Sequence, residues 1–327
     1  MRVAILHTQD ALEPPRDPVL DQLEAALQSL GHAASLIAVG DELGPITSAL
    51  VETKPELVFN LAESFQGKSS LESNVAALLN LLGLRYTGSS PAGLMLAGDK
   101  TLTKKVLSFH GILTAKFATM FRGEVDWTGD IGFPLLVKPP QEDASLGITQ
   151  KSIVNDVKEL LDVMGSTQQE FQSPVLVEEF IDGREFYVGL LGNQNVTALP
   201  LIELDFSGYP PNLPKIASWD AKWGTDGEGA GEEFKGTHSI FPADVPEELE
   251  EKMKQVAIAS FQALRLRDYA RIDLRVTPRE EIYVIEANPN CYLEKESEFA
   301  RAAAKSGLEY QALIGRIIEL ASARYSR

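Results

Sequence analysis

The chain has 327 residues, 44% of them hydrophobic and 24% charged, with a formal net charge of −17. That length and balance suit a globular protein of two or three domains, and the acidic surplus argues against nucleic acid, whose phosphates need a basic face. A single cysteine, Cys291, excludes an intrachain disulfide and a multi-cysteine zinc site and suits a reducing cytoplasm.

The opening segment alternates strand and helix. A strand is predicted over residues 2–7, with no signal-peptide pattern before it. A helix follows over 18–30, with Leu20, Leu23, Leu27 and Leu30 on one stripe and Gly31 as its stop. Strands at 34–39 and 56–61 and a helix at 70–82, ended by Gly83, continue the rhythm. Such a pattern implies a parallel sheet with helices on its faces. Ligands of these sheets bind beyond the C-terminal strand ends, where His7, Glu63 and Ser64 fall. No Gly-x-Gly-x-x-Gly turn follows the first strand, which argues against a Rossmann dinucleotide site.

A helix opens at Asp99, and a strand runs over 133–138. Residues 155–164 read as a helix with Asn155 as N-cap and Gly165 as stop. Strands over 175–179 and 185–191 flank a turn at Asp182-Gly183. Residues 206–238 hold Pro210, Pro211 and Pro214, then Gly224, Gly227, Gly229, Gly231 and Gly236. A loop this long is functional or disordered, and Trp219 and Trp223 argue against disorder. It reads as a lid. A helix over 246–264, a hairpin, and helices near 298–306 and 310–323 complete the chain. No run approaches the ~18 apolar residues of a membrane span.

The hairpin carries charge among apolar residues. One arm reads Tyr269-Ala-Arg-Ile-Asp-Leu-Arg-Val and the other Ile282-Tyr-Val-Ile-Glu-Ala-Asn. With Pro278 to Glu281 as the loop, Asp273 faces Glu286 and Arg271 faces Asn288. Opposed residues share a face, where like charges repel. Two carboxylates and an amide oxygen converging there describe a hard-cation site, Mg2+ held with a nucleotide's phosphates. A solvated face with incidental acids fits the apolar neighbours poorly.

Other segments are weaker alone. Lys138 ends an apolar strand, and the loop from Gln141 to Gly147 offers small residues and backbone amides suited to phosphate oxygens. A lysine that merely reaches solvent is an equal reading. Asp99-Lys100 is ordinarily an N-cap followed by a solvated lysine. Residues 175–185 read as a hairpin with a buried Phe180-Ile181 pair, or as a linker cradling adenine.

Taken in order, Asp99-Lys100, Val137-Lys138-Pro139, Val177-Glu-Glu-Phe-Ile-Asp-Gly-Arg-Glu185, Arg271-Ile-Asp273 and Glu286-Ala-Asn288 resemble the ATP-grasp superfamily. Tyr86-Thr-Gly-Ser89 narrows the likeness to D-alanine–D-alanine ligase-like carboxylate–amine ligases, over essentially the whole chain. The resemblance implies an α/β ATP-grasp fold. Its domains would be a parallel α/β domain over 1–95, a central subdomain over 96–178, and a C-terminal subdomain over 179–327 with lid loop 206–238. It implies ATP with Mg2+ or Mn2+, small amino-acid-like substrates, a homodimer and a cytoplasmic location. Lys100 and Lys138 would contact phosphates, with Ser145 in the phosphate loop. Glu178, Phe180 and Ile181 would line the adenine pocket and Glu185 would take the ribose. Asp273, Glu286 and Asn288 would hold the metal. Arg271 would face the transferred phosphate and the developing oxyanion, and Lys222 on the lid would reach the γ-phosphate. ATP would phosphorylate a carboxylate, and an amine would then attack the acyl phosphate. The closed lid would keep water out.

The departures from the family fall on the amino-acid side. Where its members carry His-Gly-x-x-Gly-Glu-Asp, this chain reads Asn60-Leu-Ala-Glu-Ser-Phe-Gln-Gly-Lys68, with Glu63 in place of the histidine. Ala144 stands for a substrate-ordering serine, Trp223 for the lid tyrosine, and Tyr292 for the glycine whose amide aids the oxyanion. Ser297 matches a carboxylate-binding serine, but Glu298 follows it. These changes favour ligase chemistry on amino acids or similar acids over the D-alanine pair itself. An authentic D-alanine–D-alanine ligase of cell-wall synthesis is the alternative, as is a nucleotide-binding ATP-grasp protein with another activity. Cys291 reads as a small rim residue.

Overall fold

Three sheets arise from three differently patterned stretches of chain. The computed structural model describes residues 1–9, 16–121, 124–127, 130–142, 145–210, 213–219 and 236–325, with backbone alone at 121 and 124–127. Lys222, Trp223 and Ala144 lie outside the described residues.

β1 (Arg2–Thr8), β2 (Ala33–Val39) and β3 (Leu57–Leu61) pair in parallel in the order β2-β1-β3. Strands covered on both faces need near-continuous apolar runs, and Val3, Ala4, Ile5 and Leu6 are fully buried. The covering helices are α1 (Pro18–Ser29), α2 (Leu43–Thr53) and α3 (Glu72–Leu81). Asp17 caps α1, its Oδ1 accepting from the Val19 amide at 2.9 Å, with Pro18 at the first helical position. α2 has no counterpart in the sequence reading. Its Gly44-Pro45 start resembles a turn, and it buries only Ile46 and Leu50. A bridge from Val58 to Tyr86 extends the sheet toward α4 (Pro91–Ala97), also unpredicted, and α5 (Lys100–Phe109). Asp99 caps α5 through the Leu102 amide at 3.0 Å.

The second sheet is antiparallel, in the order β5-β4-β8-β6-β7. It comprises β4 (Phe117–Phe121), β5 (Glu124–Trp127), β6 (Leu135–Lys138), β7 (Ile153–Val154) and β8 (Val175–Glu179), with α6 (Val157–Phe171) packed against it. Two expectations fail here. Asp156, not Asn155, caps α6, accepting from the Glu159 amide at 2.9 Å. The helix also runs through Gly165 to Phe171, where Gln172 adopts the left-handed conformation at φ 50°. A helix-interior glycine costs only about 1 kcal/mol, so it does not stop a helix with a strong start.

The third sheet is antiparallel, in the order β12-β11-β9-β13-β14. Its strands are β9 (Arg184–Gly192), β10 (Val196–Ala198, paired with β9), β11 (Ile202–Asp205), β12 (His238–Ile240), β13 (Asp268–Val276) and β14 (Ile282–Asn288). α7 (Glu247–Ala263) covers one face, burying Met253, Ala257 and Phe261 against Phe186, Val188 and Leu190. α8 (Glu298–Lys305) and α9 (Tyr310–Arg324) cover the other. There Phe299, Leu313 and Ile317 share one core with Tyr187 of β9 and with Leu20, Leu23 and Leu27 of α1. The first and third sheets are therefore joined by apolar packing, which brings the C-terminal ends of β1 and β3 toward the hairpin. An ion pair and a hydrogen bond reinforce the joint: Arg324 Nη2 donates to Asp268 Oδ2 at 2.7 Å and to the Tyr86 carbonyl at 2.8 Å.

Candidate functional site

Arg271 pairs with Asn288 and Asp273 with Glu286, as the strand patterns predict, but the route differs. The loop is one residue tighter than expected, because Val276 pairs with Ile282. The Thr277 amide donates to the Glu281 carbonyl at 3.0 Å, and the Glu280 amide to the Thr277 carbonyl at 2.9 Å. Glu280 is left-handed at φ 61°, as a three-residue hairpin loop requires. That register alone would set Asp273 opposite Ile285. The ladder shifts between Asp273 and Leu274, and the extra residue, Ile285, puts Glu286 back across from Asp273. Bulges beside functional sites re-aim side chains in this way.

The paired acids are each drawn to a separate cation. Arg271 donates Nε and Nη2 to the two oxygens of Asp273 at 2.7 and 2.9 Å. Asn288 Nδ2 donates to Asp273 Oδ2 at 3.1 Å, and Lys100 Nζ lies 2.8 Å from Glu286 Oε1. The Arg271 guanidinium also stacks on Tyr187, 4.5 Å from its ring centre. Burial pulls the Arg271 pKa down, but Asp273 and Glu298 outweigh it and hold the group firmly charged. Among the described residues no group of three or more His, Cys, Asp or Glu is arranged to hold a metal ion by itself. A buried carboxylate (Asp273), a part-buried one (Glu286) and the Asn288 amide offer an all-oxygen donor set, which fits Mg2+ or Mn2+ and is poor for zinc.

Beside the hairpin lies a cleft of about 710 Å³, open to solvent, between the second and third sheets. Lys100, Lys138, Ser145, Glu178, Phe180, Ile181 and Glu185 all line it. Leu136, Ile148, Ile216 and the bulged Ile285 supply apolar wall. Its mixed apolar and charged lining matches a small-molecule site. Its charges are matched in detail. Glu178 sits between Lys138 at 2.6 Å and Lys104 at 2.7 Å, all three buried. Burial pushes the Glu178 carboxyl up, but the two ammonium groups outweigh it and the net shift is downward. Lys104 is shifted down by burial despite Glu178. Glu185 is held by Arg275 Nη2 at 2.7 Å and by the Tyr187 hydroxyl at 2.9 Å.

Lys104 and Arg275 are absent from the sequence reading, though both had a signal. Lys104 lies one turn after Lys100 and so shares its helix face. Arg275 continues the alternation of Arg271 and Asp273 on one strand face. In the loop after Lys138, Lys100 Nζ donates to the Glu142 carbonyl at 2.5 Å and Ser145 Oγ to the Ala217 carbonyl at 2.6 Å. Gly147 is obligatory there: φ is 76°, and a Cβ would sit 2.7 Å from the Phe171 ring.

A second, wider cleft adjoins the first, enclosing about 2740 Å³ open to solvent, and Glu142 and Glu286 line both. Its walls come from the ends of β1 and β3 (His7, Glu63, Ser64), from Arg271, and from the segment after the hairpin. Burial pushes the Cys291 thiol up to about 12, which leaves it inert at neutral pH. The Tyr292 hydroxyl donates to Asp17 Oδ1 at 2.7 Å. Ser297 Oγ donates to the Tyr292 carbonyl at 3.0 Å, and Glu298 lies 3.6 Å from Arg271.

Residues 106–319 match the family described as D-ala D-ala ligase C-terminus. An uncharacterized protein of Sinorhizobium fredii is 35% identical over 318 residues, 95% of this chain and 89% of that protein. The D-alanine–D-alanine ligase of Aquifex aeolicus is 30% identical over 297 residues, 90% of this chain and 91% of its own. That of Syntrophotalea carbinolica is 32% identical over 306 residues, 92% of this chain and 90% of its own. The D-alanine–D-alanine ligase of Bacillus anthracis, crystallised with ATP, superposes with a TM-score of 0.75 at 23% identity, over 99% of this chain and 98% of that one.

Proposed function

The chain belongs to the D-alanine–D-alanine ligase family of ATP-dependent carboxylate–amine ligases, and from that premise we propose that it joins amino acids or similar small substrates through an acyl phosphate. The observation that carries the proposal is the adjacency of the two clefts across the Asp273–Glu286 pair. ATP in the first cleft would present its γ-phosphate to an acid in the second.

Each residue's part follows from its place. Phe180, Ile181 and Ile285 wall the base, Glu178 and Glu185 edge the base and ribose, and Lys100, Lys138 and Ser145 lie where phosphates would run. Asp273, Glu286 and Asn288 would hold Mg2+ or Mn2+, which when bound neutralises charge on the moving phosphoryl group. Arg271, at the junction, is positioned to steady the oxyanion that forms when the amine attacks. Lys222 is assigned to the γ-phosphate on the family resemblance. The same resemblance, with the buried reduced cysteine, supports a homodimer in the cytoplasm.

The test is direct. The protein is incubated with ATP, Mg2+ and a panel of D- and L-amino acids, with phosphate release and product mass as readouts. Phosphate release tied to a condensed product supports the proposal. D-alanine as the one productive substrate would reduce it to the activity named for the relatives. ATP hydrolysis without condensation across a wide panel of acids and amines would overturn it.

A further inference from the structure

Arg271 meets two carboxylates, and the chemistry above gives the second no part. Glu298 opens α8 and lines the second cleft. Its Oε2 lies 3.6 Å from Arg271 Nη1, while Asp273 Oδ1 lies 2.7 Å from Nε of the same guanidinium. The two acids differ in access. The Asp273 side chain is 2% exposed and that of Glu298 is 31% exposed. Of the pair, it is Glu298 that a substrate in the cleft can touch.

The Glu298 carboxylate is also aimed. Ser239 Oγ of β12 donates to its Oε1 at 2.9 Å. Arg301, three residues along α8, donates Nη2 to the Ser239 carbonyl at 3.1 Å and lies over the Phe241 ring, 5.7 Å from its centre. The first turn of α8 and the edge strand thus fix each other, with Glu298 between them. A carboxylate accepts up to about four hydrogen bonds, so the donation from Ser239 orients this one without exhausting it.

An amine that attacks an acyl phosphate must shed a proton. As its lone pair forms the N–C bond the nitrogen becomes acidic, and a base within hydrogen-bond reach can take that proton. Arg271 marks the place, because the oxyanion of the same step develops against it. Three neighbours of Arg271 are unsuited. Asp273 accepts from Arg271 on both oxygens and from Asn288. The Tyr187 hydroxyl donates to Glu185, and burial, then the charge of Glu185, raise its pKa. Burial pushes the Cys291 thiol up to about 12, so it keeps its proton.

Resting on the ligase reading, we propose that Glu298 is the catalytic residue that takes the proton of the attacking amine. The N–C bond forms as the proton passes from nitrogen to a Glu298 oxygen. The C–O bond to the phosphoryl group then breaks, and phosphate leaves with the electron pair. The part-exposed carboxyl returns the proton to solvent.

The test compares the full chain with Glu298→Gln, each given ATP, Mg2+ and a panel of acids and amines, with and without hydroxylamine. Hydroxylamine traps an acyl phosphate without help from a base. Hydroxamate therefore reports the acyl phosphate formed, and condensed product reports attack by the amine. Glutamine keeps the size of the side chain and an oxygen for Ser239 but is no base. Condensed product should fall at least about 100-fold, with hydroxamate within about threefold of wild type. If circular dichroism shows Glu298→Gln unfolded, Glu298→Asp carries the test. It draws the carboxylate back by one methylene and should lose condensation selectively by at least about tenfold. Equal loss of hydroxamate and condensed product in a folded variant, or undiminished condensation, would each overturn the proposal. The ligase reading fails separately, when wild type gives no condensed product from any acid and amine of the panel.

Discussion

The two clefts handle charge in opposite ways. In the first, every acid the site uses has a cation against it: Glu178 has Lys104 and Lys138, Glu185 has Arg275, and Glu286 has Lys100. In the second, acids outnumber cations among the described lining residues, and Arg271 is already claimed by Asp273 and Glu298. A balanced site suits a fixed ligand whose own charge is met by a metal, so its residues keep one arrangement. Glu63 and Tyr292, two of the positions at which the resemblance points to a departure from the family, line this second cleft.

The largest effect should come from the edge shared by both clefts. Asp273→Asn removes the carboxylate that holds Arg271 and would hold the metal. ATP turnover should fall by at least about 100-fold, with the far-ultraviolet circular dichroism spectrum retained. Undiminished turnover would place the metal elsewhere and break the contrast between the clefts.

Next comes the balance within the first cleft. Glu178→Gln leaves Lys104 and Lys138 buried without a counter-charge, and removing one partner from such a cluster costs about 3–5 kcal/mol. Urea unfolding should measure that loss. Its pH dependence has a definite sign. The folded-state pKa of Glu178 lies below its ordinary 4.5, so its stabilisation is present above that pH and disappears as pH falls through the lower folded value. Wild type should therefore lose stability more steeply than the variant below about pH 4.5. Parallel curves would show that Glu178 does not hold the two lysines.

How much of this was legible in the sequence also divides along the clefts. The acid pair of the hairpin could be found from strand alternation because period 2 is rigid. Even so, its register came out right through two offsets, a loop one residue shorter than assumed and a bulge at Ile285 that adds one back. Neither has a strong local signature: Glu280 is no glycine, and Ile285 looks like any strand residue. α2 was hidden by its Gly-Pro start, and the extent of α6 by a glycine its length absorbs. Lys104 was passed over because a lysine on an amphipathic helix is ordinarily solvated, and only tertiary packing buries it against Glu178. The Tyr292–Asp17 contact could not be read at all, since it joins residues 275 positions apart.

The smallest effect should come from Cys291, and it sharpens the contrast because the thiol sits on the acidic cleft. Burial is the first cause of its raised pKa, and the charge of Asp273 adds to it while Arg271 opposes. With the pKa pushed up to about 12, about one thiol in ten thousand is ionised at pH 8. The native protein should therefore resist a thiol-modifying disulfide reagent such as DTNB at pH 8 and react fully once unfolded in guanidinium. Cys291→Ala should keep turnover within about twofold and cost about 1 kcal/mol of stability, as the loss of one small buried group does. Rapid labelling of the native thiol, matched by loss of turnover in the alanine variant, would instead make Cys291 a nucleophile. The acid-rich cleft would then have to stabilise a thiolate, which its surplus of carboxylates opposes.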